Sequence, residues 1–237
     1  MLSRYEFTSR VRYSETGADG RMTLAAMVTR MQDCCCFHSE AIGRGPTMDR
    51  DGGWVIVSWQ VLFREMPAFG TPLTTATWGY RFHGMEGDRN FVASLEDGTV
   101  CAEANARMIF FDRRLQRPVR VPQDEIELYG VEDPLTTFSY SPRRIPIPED
   151  GREEETIHVH PRDIDTNGHV NNIAYIEMAL PYLPENFSVK EMRVQYLQQA
   201  RLGDVLRPLC TAKDGEFFVD LRNGEDKTCA VIQLLDR

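Results

Sequence analysis

The sequence predicts an α+β protein made of two copies of one unit, each a long helix wrapped by an antiparallel sheet. A DGRM segment at residues 19–22 recurs as NGHV at 167–170, an offset of 148, and a helical pattern follows both. Phe63 and Gly70 match Tyr196 and Gly203 at an offset of 133. The matches keep the same order in both halves, which indicates an internal duplication.

The first copy opens with a predicted strand at residues 10–13 and a turn at 17–20. We expect a helix at residues 23–42, because apolar residues recur there at helical spacing and Gly43 ends the pattern. Runs rich in β-branched and aromatic residues then predict strands at 54–63, 73–82, 90–96 and 99–111. Asp97-Gly98, between the last two runs, predicts a hairpin turn.

The regular patterns fade between residues 117 and 155, where six prolines gather. Such a segment is typical of a connection that crosses the surface. We therefore assign residues 1–129 to an N-terminal repeat, 130–155 to a linker and 156–237 to a C-terminal repeat.

Composition favours a globular protein, since 42% of the 237 residues are hydrophobic and can form a core. No apolar run approaches the length of a membrane span, and the segment MLSRYEFTSR lacks the hydrophobic centre of a signal peptide. Six cysteines, three of them consecutive and none in a C-x-x-C pair, are typical of reduced thiols. We expect a cytoplasmic protein without a membrane span.

The net charge of −9 argues against general nucleic-acid binding, which needs a basic surface. An acidic partner would need a local basic patch. Two candidate patches, each equally consistent with an ordinary solvated surface, are Arg113, Arg114, Arg117 and Arg120, and Arg143 with Arg144.

A dense polar segment, IDTNGHVNN, precedes the helix of the second copy and favours a catalytic site. Gly168 supplies a tight turn, and Asp165, Asn167 and His169 surround it. An imidazole or carboxylate can transfer a proton, while an amide and the N–H groups of a helix N-terminus can stabilise an oxyanion. The matching turn of the first copy, residues 17–21, has no histidine, which suggests that the second copy is catalytic and the first holds substrate.

Other interpretations of this segment are weaker. The D-x-D-x-N-G string that starts at Asp163 resembles the first half of a calcium loop, but its twelfth position is Ala174 instead of glutamate. A second candidate is a metal site formed by His158 and His160 together with Asp163, Asp165 and His169, but these residues lack the spacing of a metal-ligand set. A helix cap accounts for only one of the polar residues. We expect neither a metal nor a cofactor.

The segments VRYSETGADGRMTLAAMVTRMQD, WVIVSWQVLF and DIDTNGHVNNIAYIEMAL resemble the acyl–acyl carrier protein thioesterases of bacteria and plants. The likeness covers nearly the whole chain, although D-x-N-x-H strings also occur in single-unit thioesterases that act on coenzyme A esters. It implies a double hotdog fold, hydrolysis of fatty acyl thioesters and no cofactor. It also maps a catalytic Asp, Asn and His onto Asp165, Asn167 and His169.

One position departs from the family pattern. Many members carry a glutamate shortly before a glycine on the strand after the catalytic helix, and the segment VQYLQQARLGDVL places Gln199 there. A neutral amide can orient a water or a carbonyl but cannot accept a proton. The next residue, a cysteine in some plant members, is Ala200, which excludes a thiol nucleophile there and favours attack by water. Either His169 or Asp165 can be the base, since Asp165 can also orient His169.

We therefore expect a thioester hydrolase that releases fatty acids from acyl carrier protein, its partner, with Asp165, Asn167, His169 and Gln199 at the site. The alternatives are an acyl-coenzyme A thioesterase and a non-catalytic protein that binds acyl groups or their carrier. Both a monomer and a homodimer fit the sequence, because the duplication supplies two units in one chain while a sheet edge can still pair.

Overall fold

The computed structural model describes residues 2–48, 51–142 and 144–236. The chain divides into two units, Met1–Val57 with Val61–Tyr140 and Ser58–Gln60 with Ser141–Arg237. The division after Tyr140 falls inside the segment predicted to be a linker. Each unit combines helix with antiparallel strands, so the predicted α+β class is confirmed.

The first unit contains most of the long strands. Its elements are β1 (Arg4–Arg10), α1 (Leu24–Ala41), β2 (Gly52–Phe63), β3 (Pro72–His83), β4 (Glu86–Ser94), β5 (Val100–Asp112), β6 (Arg117–Pro118) and α2 (Gln123–Tyr129). The strands lie in the order β1-β3-β4-β5-β2, and β6 pairs with β5. The predicted Asp97-Gly98 hairpin is confirmed, because Gly98 adopts a φ of +86° and the N–H of Leu95 donates to Thr99 at 2.9 Å.

The long helix α1 follows the prediction closely. The Thr23 side chain caps it by accepting the N–H of Ala26 at 3.1 Å. Met27, Val28 and Met31 form its buried stripe and are fully buried. No helix within the described residues, α1 included, is long and apolar enough to cross a membrane.

Two local predictions in the first unit are wrong. The predicted strand at residues 10–13 is instead a strand that ends at Arg10, followed by a 3-10 turn at Tyr13–Glu15. The alternation of β1 is hard to recognise in the sequence, because only Tyr5, Phe7 and Ser9 lie on its more buried side and one of these three residues is polar. The helix α2 also lies in a region expected to be irregular. It is too short to show a helical period, and its buried face includes a carboxylate, Glu125.

The second unit repeats the order of a helix followed by antiparallel strands. Its elements are β7 (Arg152–Glu153), β8 (Ile157–His158), α3 (Asn172–Ala179), β9 (Glu191–Tyr196), β10 (Val205–Lys213), β11 (Glu216–Arg222) and β12 (Thr228–Leu235). The strands lie in the order β9-β12-β11-β10-β7, and β8 also pairs with β10. Val194 on β9, Val219 on β11 and Ile232 on β12 are fully buried.

The duplicated turns share one hydrogen-bonding pattern. In the turn at residues 17–21 the first N–H donates to the last carbonyl at 2.8 Å, and the turn at 165–169 repeats this bond at 2.8 Å. Gly20 and Gly168 occupy the same place with φ values of +73° and +76°, which glycine adopts readily. The 148-residue offset predicted from sequence is therefore present in the backbone.

The 133-residue offset is present as well. The N–H of Met22 donates to Pro67 at 2.8 Å, and the N–H of Val170 donates to Ala200 at 2.9 Å. In each unit this bond joins the residue after the turn to the segment that follows the next strand. The duplication therefore fixes which later segment lies beside the polar turn of the second unit.

Candidate active site

The polar turn before α3 has a defined backbone geometry. The N–H of Asp165 donates to the carbonyl of His169 at 2.8 Å, and the N–H of Gly168 donates to the carbonyl of Asp165 at 3.0 Å. A bridge between Ile164 and Val170 closes the turn into a short hairpin. This hairpin holds the predicted Asp, Asn and His within five consecutive residues.

The carboxylate of Asp165 organises the turn. One oxygen, Oδ1, accepts the backbone N–H of Asn167 at 2.8 Å and that of His169 at 3.4 Å. The other, Oδ2, accepts the side-chain amide of Asn167 at 3.2 Å. Asp165 is half-buried and Asn167 is exposed. Three of the roughly four lone-pair positions of the carboxylate are thus occupied by N–H groups.

The imidazole of His169 is half-buried. Within the described part of the chain, neither of its ring nitrogens has a hydrogen-bond partner. The structure therefore brings Asp165 and Asn167 together through their side chains, but it joins His169 to Asp165 only through the backbone. Both ring nitrogens are available to a water or a substrate.

The segment that contains Gln199 lies beside this turn. Ala200 is buried, and its carbonyl accepts the N–H of Val170 at 2.9 Å. Because Gln199 precedes Ala200 and His169 precedes Val170, both predicted residues directly adjoin the same hydrogen bond. Gln199 is exposed, and among the described residues its side chain makes no hydrogen bond to the other three.

Tyr175, on α3, is a contributor that sequence reasoning missed. Its phenol oxygen accepts the N–H of Ala200 at 2.9 Å, so it fixes the segment that carries Gln199. Tyr175 is buried, and burial raises its pKa above the ordinary value. The phenol of Tyr196 donates to the carbonyl of Asn172 at 2.9 Å and ties β9 to the start of α3. A tyrosine inside an apolar helix stripe was the available signal, since a buried phenol needs a partner.

The N-terminus of α3 is capped by Asn171. Its side-chain oxygen accepts the N–H of Ile173 at 2.9 Å, and its own N–H donates to Asp163 at 2.7 Å. The cap interpretation therefore applies to Asn171 and leaves Asp165 and Asn167 to be explained. The N–H of Ile173 is occupied by the cap, so it is not one of the donors expected to face a substrate.

The alternative ligand sites gain no support from the geometry. No group of three or more potential metal ligands is close enough to hold an ion among the residues that the structure describes. His158 and His160 are both exposed. Ala174, at the twelfth position of the calcium-like string, lies buried in α3.

The fold and the turn define an α+β protein with an Asp–Asn–His motif in front of a helix. Two sequence profiles match it: the acyl-ACP thioesterase N-terminal domain over residues 3–129 and the C-terminal domain over residues 148–232. Together they cover most of the chain. The chain belongs to the acyl-ACP thioesterase family.

Curated relatives carry related names. The palmitoyl-acyl carrier protein thioesterase of Cuphea hookeriana is 25% identical over 86% of this chain and 53% of its own length. The oleoyl-acyl carrier protein thioesterase 1 of Arabidopsis thaliana is 25% identical over 85% of this chain and 62% of its own length. The chain thus spans little more than half the length of these chloroplastic proteins.

Solved structures show the same fold. An acyl-ACP thioesterase from Bacteroides thetaiotaomicron superposes with a TM-score of 0.88 at 21% identity, covering 98% of this chain and 97% of the other. The 12:0-ACP thioesterase from Umbellularia californica superposes with a TM-score of 0.85 at 18% identity, covering 99% and 97%.

Proposed function

We propose that this chain hydrolyses fatty acyl thioesters of acyl carrier protein and releases free fatty acids. The observation that carries the proposal is the hydrogen-bonded Asp165–Asn167 pair next to His169, whose imidazole has no hydrogen-bond partner among the described residues, in a chain that matches both domains of the family. The two units with their repeated turns further support a double hotdog fold, in which each helix packs against its own antiparallel strands.

Asn167 is the residue that binds the thioester carbonyl. Its side-chain nitrogen carries two hydrogens, and one of them is donated to Asp165. The carboxylate accepts only, so it orients the amide with the nitrogen toward itself. The second hydrogen is then available to the carbonyl oxygen, where negative charge develops during attack.

His169 is the general base. Asp165 already accepts three N–H groups, whereas the imidazole has both nitrogens free within the described residues. The imidazole takes a proton from water as the water oxygen bonds to the carbonyl carbon. It returns the proton to the thiolate of the carrier as the carbon–sulfur bond breaks, which gives a fatty acid and a free thiol.

Gln199 positions the attacking water. It is exposed and next to the bond that joins Ala200 to Val170, so its amide can hold a water near His169 without taking the proton. A glutamate there would offer a second base. The neutral residue leaves the proton transfer to His169.

The direct test is a hydrolysis profile over acyl carrier protein thioesters of graded acyl length. We expect release of fatty acid by the wild-type protein and a loss of about 10²- to 10⁴-fold in kcat for His169→Ala. Arg21→Ala is a matched control, because Arg21 occupies the same turn position in the first unit. Near-normal hydrolysis by His169→Ala contradicts the assignment.

A second candidate function is a non-catalytic protein that binds the acyl carrier. Gln199 favours it, because the position expected to hold a carboxylate has none. Tight binding of acyl carrier protein by the wild-type protein without release of fatty acid identifies this case.

A further inference from the structure

A cluster of arginines lies on one hairpin of the first unit, at the end of β5. The segment, here called the arginine hairpin, comprises residues 112–120 and contains Arg113, Arg114, Arg117 and Arg120. All four side chains are exposed. The hairpin is therefore a positively charged segment in a chain whose net charge is −9. The other basic candidate includes Arg143, which lies outside the described residues.

The arginine hairpin is held firmly by its backbone. Within the turn, the N–H of Leu115 donates to the carboxylate of Asp112 at 2.8 Å. Beyond it, the N–H of Val119 donates to Phe110 at 3.0 Å and that of Val121 donates to Gly84 at 2.9 Å. The backbone that carries the four arginines is therefore held in a defined conformation.

The charges of the hairpin are not neutralised. Within the described residues, none of its four arginines forms an ion pair with a carboxylate. Other carboxylates of the first unit are already engaged by other arginines. Asp88 pairs with Arg81 and with Arg107, and Asp124 pairs with Arg44 at 3.0 Å. The guanidinium of Arg113 donates to the carbonyl of Pro46 at 3.5 Å, so a carboxylate of a partner would meet arginines that hold no other carboxylate among the described residues.

The surroundings of the charges suit a protein surface. Leu115 is 49% exposed at the tip of the hairpin, and Met85 is 44% exposed on the β3–β4 turn. An apolar group within a charged rim is typical of protein interfaces. Arg120 also lines, with His83 and Gln123, a shallow groove of about 410 Å³. The patch therefore offers a folded partner positive charge, exposed apolar side chains and a shallow groove.

We propose that the arginine hairpin docks a carboxylate-rich face of the acyl carrier protein. This inference rests on the proposed function, which makes a carrier protein the substrate. Exposed arginines attract an acidic partner over several ångströms and raise the association rate, and this effect falls with ionic strength. The hairpin thus sets recognition of the carrier, while the turn at residues 165–169 acts on the thioester.

The test compares two substrates with one acyl group, acyl carrier protein and the neutral N-acetylcysteamine thioester. For Arg114→Glu/Arg117→Glu we expect KM for the carrier substrate to rise at least tenfold, with kcat within twofold of wild type. Its kcat/KM should also depend less on salt. The neutral thioester should be cleaved as by wild type.

A matched control reverses the same number of charges elsewhere. Lys190 and Lys213 are exposed, and neither forms an ion pair with another described residue. Lys190→Glu/Lys213→Glu changes the net charge by the same amount, −4, and should leave KM for the carrier substrate within about twofold of wild type when both variants are measured at the same ionic strength.

Several outcomes overturn the inference. One is an unchanged KM for the carrier substrate. Another is an equal loss on both substrates that also appears in Arg114→Gln/Arg117→Gln, since the hairpin would then support the fold. A third is an equal rise in KM for acyl-coenzyme A, which would show that the hairpin binds phosphate. If the wild-type protein cleaves neither substrate, the proposed function fails. Anisotropy of labelled apo carrier protein then still measures whether the hairpin binds it.

Discussion

Asp165 accepts the backbone N–H of Asn167 at 2.8 Å and the side-chain amide of the same residue at 3.2 Å. Two bonds from one carboxylate to one neighbour fix both the path of the backbone and the orientation of the amide. In the proposed mechanism the carboxylate therefore positions Asn167, and the imidazole of His169 is left to transfer the proton.

The first prediction concerns Asp165→Asn. The new amide can keep one bond to the backbone, but its nitrogen would face the nitrogen of Asn167, so the amide of Asn167 loses its orientation. We expect kcat to fall about 10²- to 10³-fold, as for the loss of one oxyanion donor, with KM changed little. Steady-state kinetics with a carrier substrate measure both.

Asp19→Asn is the matched control for that substitution. Asp19 occupies the position of Asn167 in the first unit, and its carboxylate accepts the N–H of Arg21 at 3.0 Å. An asparagine can accept the same bond, so activity should stay within twofold. A comparable loss of kcat in both variants would mean that the two turns support the folded structure and that Asp165 has no specific role in catalysis.

The second prediction concerns Tyr175→Phe. Removing the phenol leaves the buried N–H of Ala200 without its acceptor, which costs about 1–3 kcal/mol in free energy of unfolding. The segment of Gln199 is then held less firmly, so kcat should fall several-fold. Urea denaturation and kinetics measure the two effects.

Tyr182→Phe is the control for Tyr175→Phe. Its phenol donates to the carbonyl of Glu155 at 3.1 Å near the surface, where water can replace it. The cost should stay below about 1 kcal/mol, with kcat unchanged. An equal cost in both variants would contradict the role given to burial.

Local signals explain what the sequence predicts well. The helix α1 and the strands β2 to β5 follow hydrophobic periods within single segments, and the turns at Gly20 and Gly168 require a conformation that glycine adopts. The positions of Asp165, Asn167 and His169 around one turn follow from the same local geometry.

Distant partners explain what the sequence does not predict. Glu125 is buried in α2 because Arg44, 81 positions earlier, donates to it at 2.6 Å. Tyr175 meets Ala200 across 25 positions. Neither bond has a periodic signature, since both depend on how separate elements pack. Interactions of this kind appear only once the tertiary structure is known.

The third prediction separates the roles of Gln199 and His169. Gln199→Ala removes an exposed amide that can hold water, so kcat should fall about tenfold with no loss of stability. Gln199→Glu should keep the fall of kcat at acidic pH that a histidine base causes and add the titration of a carboxylate, so its kcat should fall more steeply at acidic pH than that of wild type. Identical pH profiles for kcat in wild type and Gln199→Glu would exclude this position from proton transfer, and an unchanged kcat in Gln199→Ala would exclude it from holding the water.

The last prediction concerns His38, which is fully buried on α1. Its Nδ1 lies 2.6 Å from a guanidinium nitrogen of Arg89, which can only donate, and its Nε2 lies 2.6 Å from the carbonyl of Leu2. The neutral ring with a hydrogen on Nε2 satisfies both contacts. Burial, reinforced by the charge of Arg89, lowers the pKa of His38 from 6.5 to about 4, against a smaller opposing effect of the Leu2 carbonyl.

Because the folded protein holds His38 neutral and the unfolded chain does not, the unfolded state binds more protons between pH 6.5 and about 4. The free energy of unfolding is therefore undiminished by His38 above pH 6.5. It decreases as the pH falls from 6.5 to about 4, by at most about 3 kcal/mol. His38→Gln keeps a donor for Leu2 without titrating. Its free energy of unfolding, measured in urea from pH 7 to 4, should fall less steeply than that of wild type, whereas parallel curves would show that His38 titrates normally in the folded protein.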